Sequence, residues 1–207
     1  TYAATFASLS AALADATYGV RDISLATGSD ELPIYDVFND INEAGNPGVN
    51  TSGFTATAVN YPTVRAAPGY EHSGIPGTGI KLTDTTNFKN AFFFDEFTVV
   101  KNLEFEAGGP SNLDLRGESI LLGCILKASG YIAVDIRDST LISCLAYDSS
   151  TGFNAADFQD ANIFNCTAVD CSSRGFRFGG GATYKAKNLL ALGNGTDFSN
   201  PPASMSN

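Results

Sequence analysis

From residue 97 onward the chain alternates apolar and polar positions in short segments, and those segments recur. FTVVKNLEFEAG (97–108), ESILLGCILKAS (118–129), STLISCLAYDSS (139–150) and ANIFNCTAVDCS (161–172) align with one another, and TYKAKNLLALGN (183–194) is a weaker copy. Three aligned columns are apolar throughout. One runs Leu103, Cys124, Cys144, Cys166, Leu189, in steps of 21, 20, 22 and 23 residues. A second runs Val100, Leu121, Leu141, Ile163, Ala186, and a third Phe105, Leu126, Ala146, Ala168, Ala191. Between them lies a small or polar column, Asn102, Gly123, Ser143, Asn165, Asn188. Period two within a segment means strand. A repeat near 20 residues is too short for a strand–helix–strand unit, which needs about 30. The consensus of leucine-rich repeats is missing. The pattern therefore predicts an all-β fold, a right-handed parallel β-helix in which rungs about 4.8 Å apart stack each column. The polar column reads as a bend between two strands, where Asn side chains stack and bond to neighbouring rungs.

Each rung has a further strand. The copies are NLDLRG (112–117), AVDIRD (133–138), AADFQD (155–160) and GFRFGG (175–180), with Leu115, Ile136, Phe158 and Phe178 inward. Asp114, Asp135 and Asp157 then align outward, followed by Arg177, and Arg116, Arg137 and Gln159 align two residues on. Carboxylates beside guanidinium groups can hold a sugar acid, and paired carboxylates divide acid and base roles once their pKa values are pushed apart. The plainer reading is an ion-pair ladder in which Arg relieves the repulsion of stacked Asp. These seven residues form a candidate ligand-binding strip, and no catalytic residue is assigned.

Residues 5–16, TFASLSAALADA, place Phe6, Leu9 and Leu13 on one helical face, with Thr5 as the N-cap. A solenoid must cover its open ends, so this is expected to be a capping helix; a partner-binding helix is the alternative. The expected organisation is one β-helix domain over 1–200, with irregular first rungs and loops over 20–95, regular rungs over 96–200 and a tail over 201–207. The closing stretch TDFSNPPASMSN has no helical pattern. Another subunit or the tail itself is expected to cover the rung near Leu189 and Phe198.

Composition narrows the partners. There are 22 acidic and 12 basic residues, a net charge of −10, and only 16% of residues are charged. Such a field repels nucleic acid. No run of about 18 apolar residues suggests a membrane span. The chain opens at Thr1, so a removed leader or a longer parent chain is expected. Its four cysteines show no CxxC spacing, and the lone His72 leaves no zinc-ligand set. No metal or cofactor is expected. Three cysteines in one ladder cannot all pair, which favours free, buried thiols; a disulfide between neighbouring rungs is the alternative. His72 reads as a loop residue. Gly179–Gly181 read as a turn, without the Lys of a phosphate loop, and Asp138 and Asp160 read as turn residues.

The Asn-lined bends resemble those of the pectate-lyase-like β-helix superfamily. The segment YPTVRAAPGYEHSGIPGTGIKL (61–82) and the opening TYAATFASLSAALADA resemble right-handed β-helix repeat proteins encoded by phages and bacteria. The resemblance implies the fold and a virion or extracellular setting. Pectin methylesterases of the superfamily use Asp, Gln and Arg on such a sheet, and its lyases use Ca²⁺ held by Asp. The NTD, DD and GHG signatures of polygalacturonases do not occur here. The expected function is a non-enzymatic virion structural protein, a capsid decoration or fibre-like module that oligomerises with like subunits or other virion proteins. The alternatives are a module that binds or degrades acidic polysaccharide, and a bacterial surface or adhesion module.

Overall fold

A computed structural model describes residues 4–15, 19, 23, 32–43, 49–85, 92–95, 97–108, 111–155, 160–180 and 183–202. The first rung carries β1 (Ile34–Val37), β2 (Ile41–Asn42) and β3 (Val49–Asn50), and the second β4 (Thr63–Ala66), β5 (Lys81–Asp84) and β6 (Phe92–Phe94). The third carries β7 (Val99–Lys101), β8 (Glu104–Ala107) and β9 (Ser111–Leu115). The fourth carries β10 (Ile120–Leu122), β11 (Ile125–Ala128) and β12 (Ile132–Ile136), and the fifth β13 (Ser139–Ile142), β14 (Leu145–Tyr147) and β15 (Thr151–Ala155). The sixth carries β16 (Ala161–Phe164), β17 (Thr167–Val169) and β18 (Arg174–Phe178), and the last described rung β19 (Tyr184–Lys187), β20 (Leu190–Leu192) and β21 (Phe198–Ser199). The first, second and third strands of successive rungs form three parallel seven-stranded sheets, here A, B and C. The molecule is a parallel β-helix.

Pairing follows the expected columns. Val100, Leu121, Leu141, Ile163 and Ala186 are register partners on sheet A. Phe105, Leu126, Ala146, Ala168 and Ala191 are partners on sheet B. Both columns point into the core, where side chains gain roughly 25 cal/mol per Å² of apolar surface removed from water. On sheet C, Phe153 stacks on Phe176 and Phe176 on Phe198, with ring centroids 4.9 and 5.3 Å apart.

The polar column is a left-handed bend. Asn102, Gly123, Ser143, Asn165 and Asn188 have φ of 56°, 59°, 54°, 54° and 54°. This conformation costs most residues about 1–2 kcal/mol and Gly or Asn least, which accounts for the residue types. Asn188 Nδ2 donates to Asn165 Oδ1 at 2.9 Å. At Gly123 an added Cβ would stand 2.7 Å from Asn102 Oδ1. Just past the bend lie Cys124, Cys144 and Cys166, all buried free thiols like Cys171. Burial pushes the Cys124 and Cys166 thiols well above their ordinary range. At the corner between sheets C and A, Asp138 Oδ1 accepts from the Asp160 N–H at 3.1 Å, and Asp160 Oδ1 from the Thr183 N–H at 2.9 Å. Both are turn residues, as their sequence context indicated.

Helix α1 (Leu9–Ala14) packs on the first rung, with Leu9, Ala12 and Leu13 buried. It is shorter than the expected span, and its N-cap is Ser8 in place of Thr5. Ser8 Oγ accepts from the Ala11 N–H at 3.0 Å. The buried carboxylate of Glu43, just past β2, reinforces this start. It accepts from the Leu9 N–H at 2.5 Å, the Ser10 N–H at 3.2 Å and the Ser10 hydroxyl at 2.6 Å. Helix and first rung are thus tied by a charge at the positive helix end.

One segment departs from expectation. The fifth-rung strand of sheet C is Thr151–Ala155, not 155–160. Phe153 fills the slot between Val134 and Phe176, and Ala155 pairs with Phe178. Phe158, the expected inward residue, lies outside the described residues. Register steps from Asp114 through Asp135 and Asn154 to Arg177 are 21, 19 and 23 residues. Equal spacing therefore runs past the end of the strand at Ala155.

Candidate functional site

The candidate strip lies on the outer side of sheet C. Register places Asp114 beside Asp135, Asp135 beside Asn154, and Asn154 beside Arg177. Asn154 thus takes the position expected for Asp157; Asp157 and Gln159 themselves lie outside the described residues. Arg116 and Arg137 follow the ends of their strands, where the chain turns toward sheet A.

The geometry is that of an internal ion pair. Asp114 has 0% exposure although it points away from the core. Arg116 grips it with two hydrogen bonds, Nε to Oδ1 at 3.0 Å and Nη2 to Oδ2 at 2.6 Å. The same guanidinium lies over the Phe93 ring, 4.9 Å from its centroid. Arg137 Nε approaches Asp114 Oδ1 at 3.9 Å. The hydrogen bond to Asp114 raises the Arg116 pKa, so its charge is permanent. Asp135 is nearly as buried and accepts from Asn154 Nδ2. A bidentate Arg–carboxylate pair leaves little acceptor capacity on Asp114. A cation or sugar acid would have to displace Arg116 to reach it. Arg177, two rungs on from Asp135, is exposed.

Other polar groups knit sheet B. Lys81 binds Glu106 at 2.9 Å, while Lys127 reaches Glu106 at 3.7 Å and Asp148 at 3.0 Å. Buried Glu104 accepts from the Tyr147 hydroxyl at 3.1 Å and from the Gly77 N–H at 2.7 Å. Burial, and then the Glu104 charge, push the Tyr147 pKa upward. Gly77 belongs to the long excursion 67–80 between β4 and β5, which this bond fastens to sheet B. Nothing in the sequence pattern pointed to Glu104 or to Glu43, because each acts on a segment far along the chain.

A cleft of about 320 Å³ opens between that excursion and the bends. His72 and Gly74 of the excursion line it, with Ser143 and Asn165 of the bends and the neighbouring Ile125, Leu145 and Thr167 of sheet B. His72 is a loop residue, as expected. Its Nδ1 accepts from the Gly74 N–H at 3.1 Å, while its buried Nε2 has no partner among the described residues. No group of three or more His, Cys, Asp or Glu residues arranged to hold a metal ion occurs among the described residues. The chain matches no family model, no curated protein and no solved structure.

Proposed function

We propose that the chain is a non-enzymatic structural module, of the capsid-decoration or fibre-like kind found in virus particles, working in an assembly of like subunits or with other particle proteins. One observation carries this reading. Asp114, the central carboxylate of the Asp/Arg strip, is fully buried and held by Arg116 of its own rung, and the strip reaches across rungs through Arg137 to Asp114 and Asn154 to Asp135. What remains is a stiff body of three parallel sheets, suited to bearing load and presenting surfaces. The resemblance of residues 61–82 to phage and bacterial β-helix proteins supports the setting. Native mass spectrometry and electron microscopy of the purified protein test it: defined oligomers are expected, and a strictly monomeric protein refutes the assembly of like subunits.

A second reading, a carbohydrate-binding module, is favoured by the cleft beside His72, whose lining mixes hydroxyl and amide side chains with Ile125 and Leu145. Calorimetric titration with neutral and acidic oligosaccharides, alongside a polysaccharide depolymerisation assay, separates the two. Saturable binding abolished by Asn165→Ala supports the second reading, and cleavage of any polymer overturns the non-enzymatic claim.

A further inference from the structure

The outer face of sheet A differs in charge from the rest of this acidic chain. Its outward positions form two register columns. One runs Thr63, Val99, Ile120, Thr140, Asn162, Lys185, and the other Arg65, Lys101, Leu122, Ile142, Phe164, Lys187. Leu122, Ile142 and Phe164 are consecutive and partly exposed, so they make an apolar centre three rungs long. Exposed Lys185 and Lys187 stand at one end of it, and Arg65 and Lys101 at the other. Among the described residues the only acid on this face is Asp36, bound to Arg65 at 2.5 Å. Four cations against one acid give the face +3; with −10 for the chain, the remainder carries −13.

Charge selects the occupant. A surface with an apolar middle and cationic ends fits a partner that is acidic around its contact. An anionic membrane or nucleic acid would meet the −13 of the remaining surface. A second copy of the chain offers that acidity as its attractive part. Beside sheet A, at the corner with sheet C, Glu118, Asp138 and Asp160 are exposed on three successive rungs. Cation-to-cation contact of two sheet A faces is unfavourable, so the face seats an acidic flank of its neighbour.

We propose that the outer face of sheet A docks a second copy of this chain, with Leu122, Ile142 and Phe164 as the dry centre and Lys101, Lys185 and Lys187 paired to acidic side chains of that copy. The proposal rests on the assembly reading above and adds the face that performs it.

The test is sedimentation equilibrium of the full chain over a wide concentration range, at low and at near-molar salt. Self-association is expected, with a dissociation constant rising about tenfold or more at high salt. Ile142→Asp and the double variant Lys101→Glu/Lys187→Glu are expected to be monomeric with unchanged circular dichroism. The double variant touches no core position, so it carries the test if Ile142→Asp does not fold. Leu192→Ser, on sheet B, is expected to associate like the parent. A parent chain that stays monomeric overturns both this proposal and the assembly of like subunits on which it rests. Oligomers that survive the double variant overturn the docking face alone, as do oligomers lost only with Leu192→Ser.

Discussion

Sheets A and B share rungs, register and apolar inner faces, and both carry apolar residues outward, Leu190 and Leu192 among them on sheet B, yet their outer charges differ. Sheet B carries a lattice of Lys81, Glu106, Lys127 and Asp148, and the chain's own excursion 67–80 is bonded to its Glu104. Sheet A presents Leu122, Ile142 and Phe164 between cations. The inner columns answer to the fold, because every rung must fill the same core. The outer columns answer to whatever lies against them. On sheet B, at Glu104, that is another part of the same chain. On sheet A no described segment fills the role, and we assign it to another copy.

The comparison can be broken at its foundation by testing whether the inner faces are equivalent. Leu121 on sheet A and Leu126 on sheet B are both fully buried. Leu121→Ala and Leu126→Ala are each expected to cost about 2–5 kcal/mol in denaturant unfolding. A small cost at one and a large cost at the other means the two sheets do not share one core.

Sheet C extends the contrast. Its ion pair is buried on the carboxylate side, whereas those of sheet B are partly exposed. Asp114→Ala removes two charge-assisted hydrogen bonds and leaves Arg116 without its partner. Roughly 1.5–3 kcal/mol should be lost, read as a lower urea midpoint. A change within error places the strip among ordinary surface pairs.

The thiol ladder gives a pH signature. Burial raises the Cys124 and Cys166 pKa values in the folded state, while for Cys144 between them burial is outweighed by hydrogen bonds from Cys166 and the backbone, which lower its value; the contribution of the two raised thiols is complete below the unfolded thiol value, about 8.5. Above it the unfolded chain releases protons that the folded one retains, and stability falls. The thermal midpoint is expected to drop through the alkaline range, and the drop to shrink in Cys124→Ala/Cys166→Ala. The four thiols should also resist a disulfide reagent until the chain unfolds. The smallest effect belongs to sheet B: Lys127→Ala is expected to cost less than about 1 kcal/mol, and less still in high salt.

Much of this was legible in the sequence. The bend column and both inner columns of sheets A and B were readable because one phase recurs with one residue class. The fifth-rung strand of sheet C was not. Phe153 and Phe158 are equally good inward residues, and only the pairing of neighbours shows that this strand starts early and ends at Ala155. The helix start was misplaced for a similar reason. Thr5 and Ser8 are both good caps, and the choice rests on Glu43, a residue distant in sequence. The outward column of Asp114, Asp135 and Arg177 was legible, but Asn154 stands where Asp157 was expected, and the burial of Asp114 was not legible, because it does not follow from the alternation of its strand. The outer face of sheet A was missed altogether, since attention to inward columns treats apolar residues as core wherever they fall.

The excursion between β4 and β5 has a practical consequence. Fourteen residues, 67–80, intervene there, yet β4 still pairs with β7 and β5 with β8 without a slip. Length is constrained where a rung lies in a sheet and free where it leaves one. The frame therefore accepts foreign cargo: a peptide epitope spliced in at Ile75, the exposed tip of that excursion, would ride on the rod without altering the order of the strands beneath it.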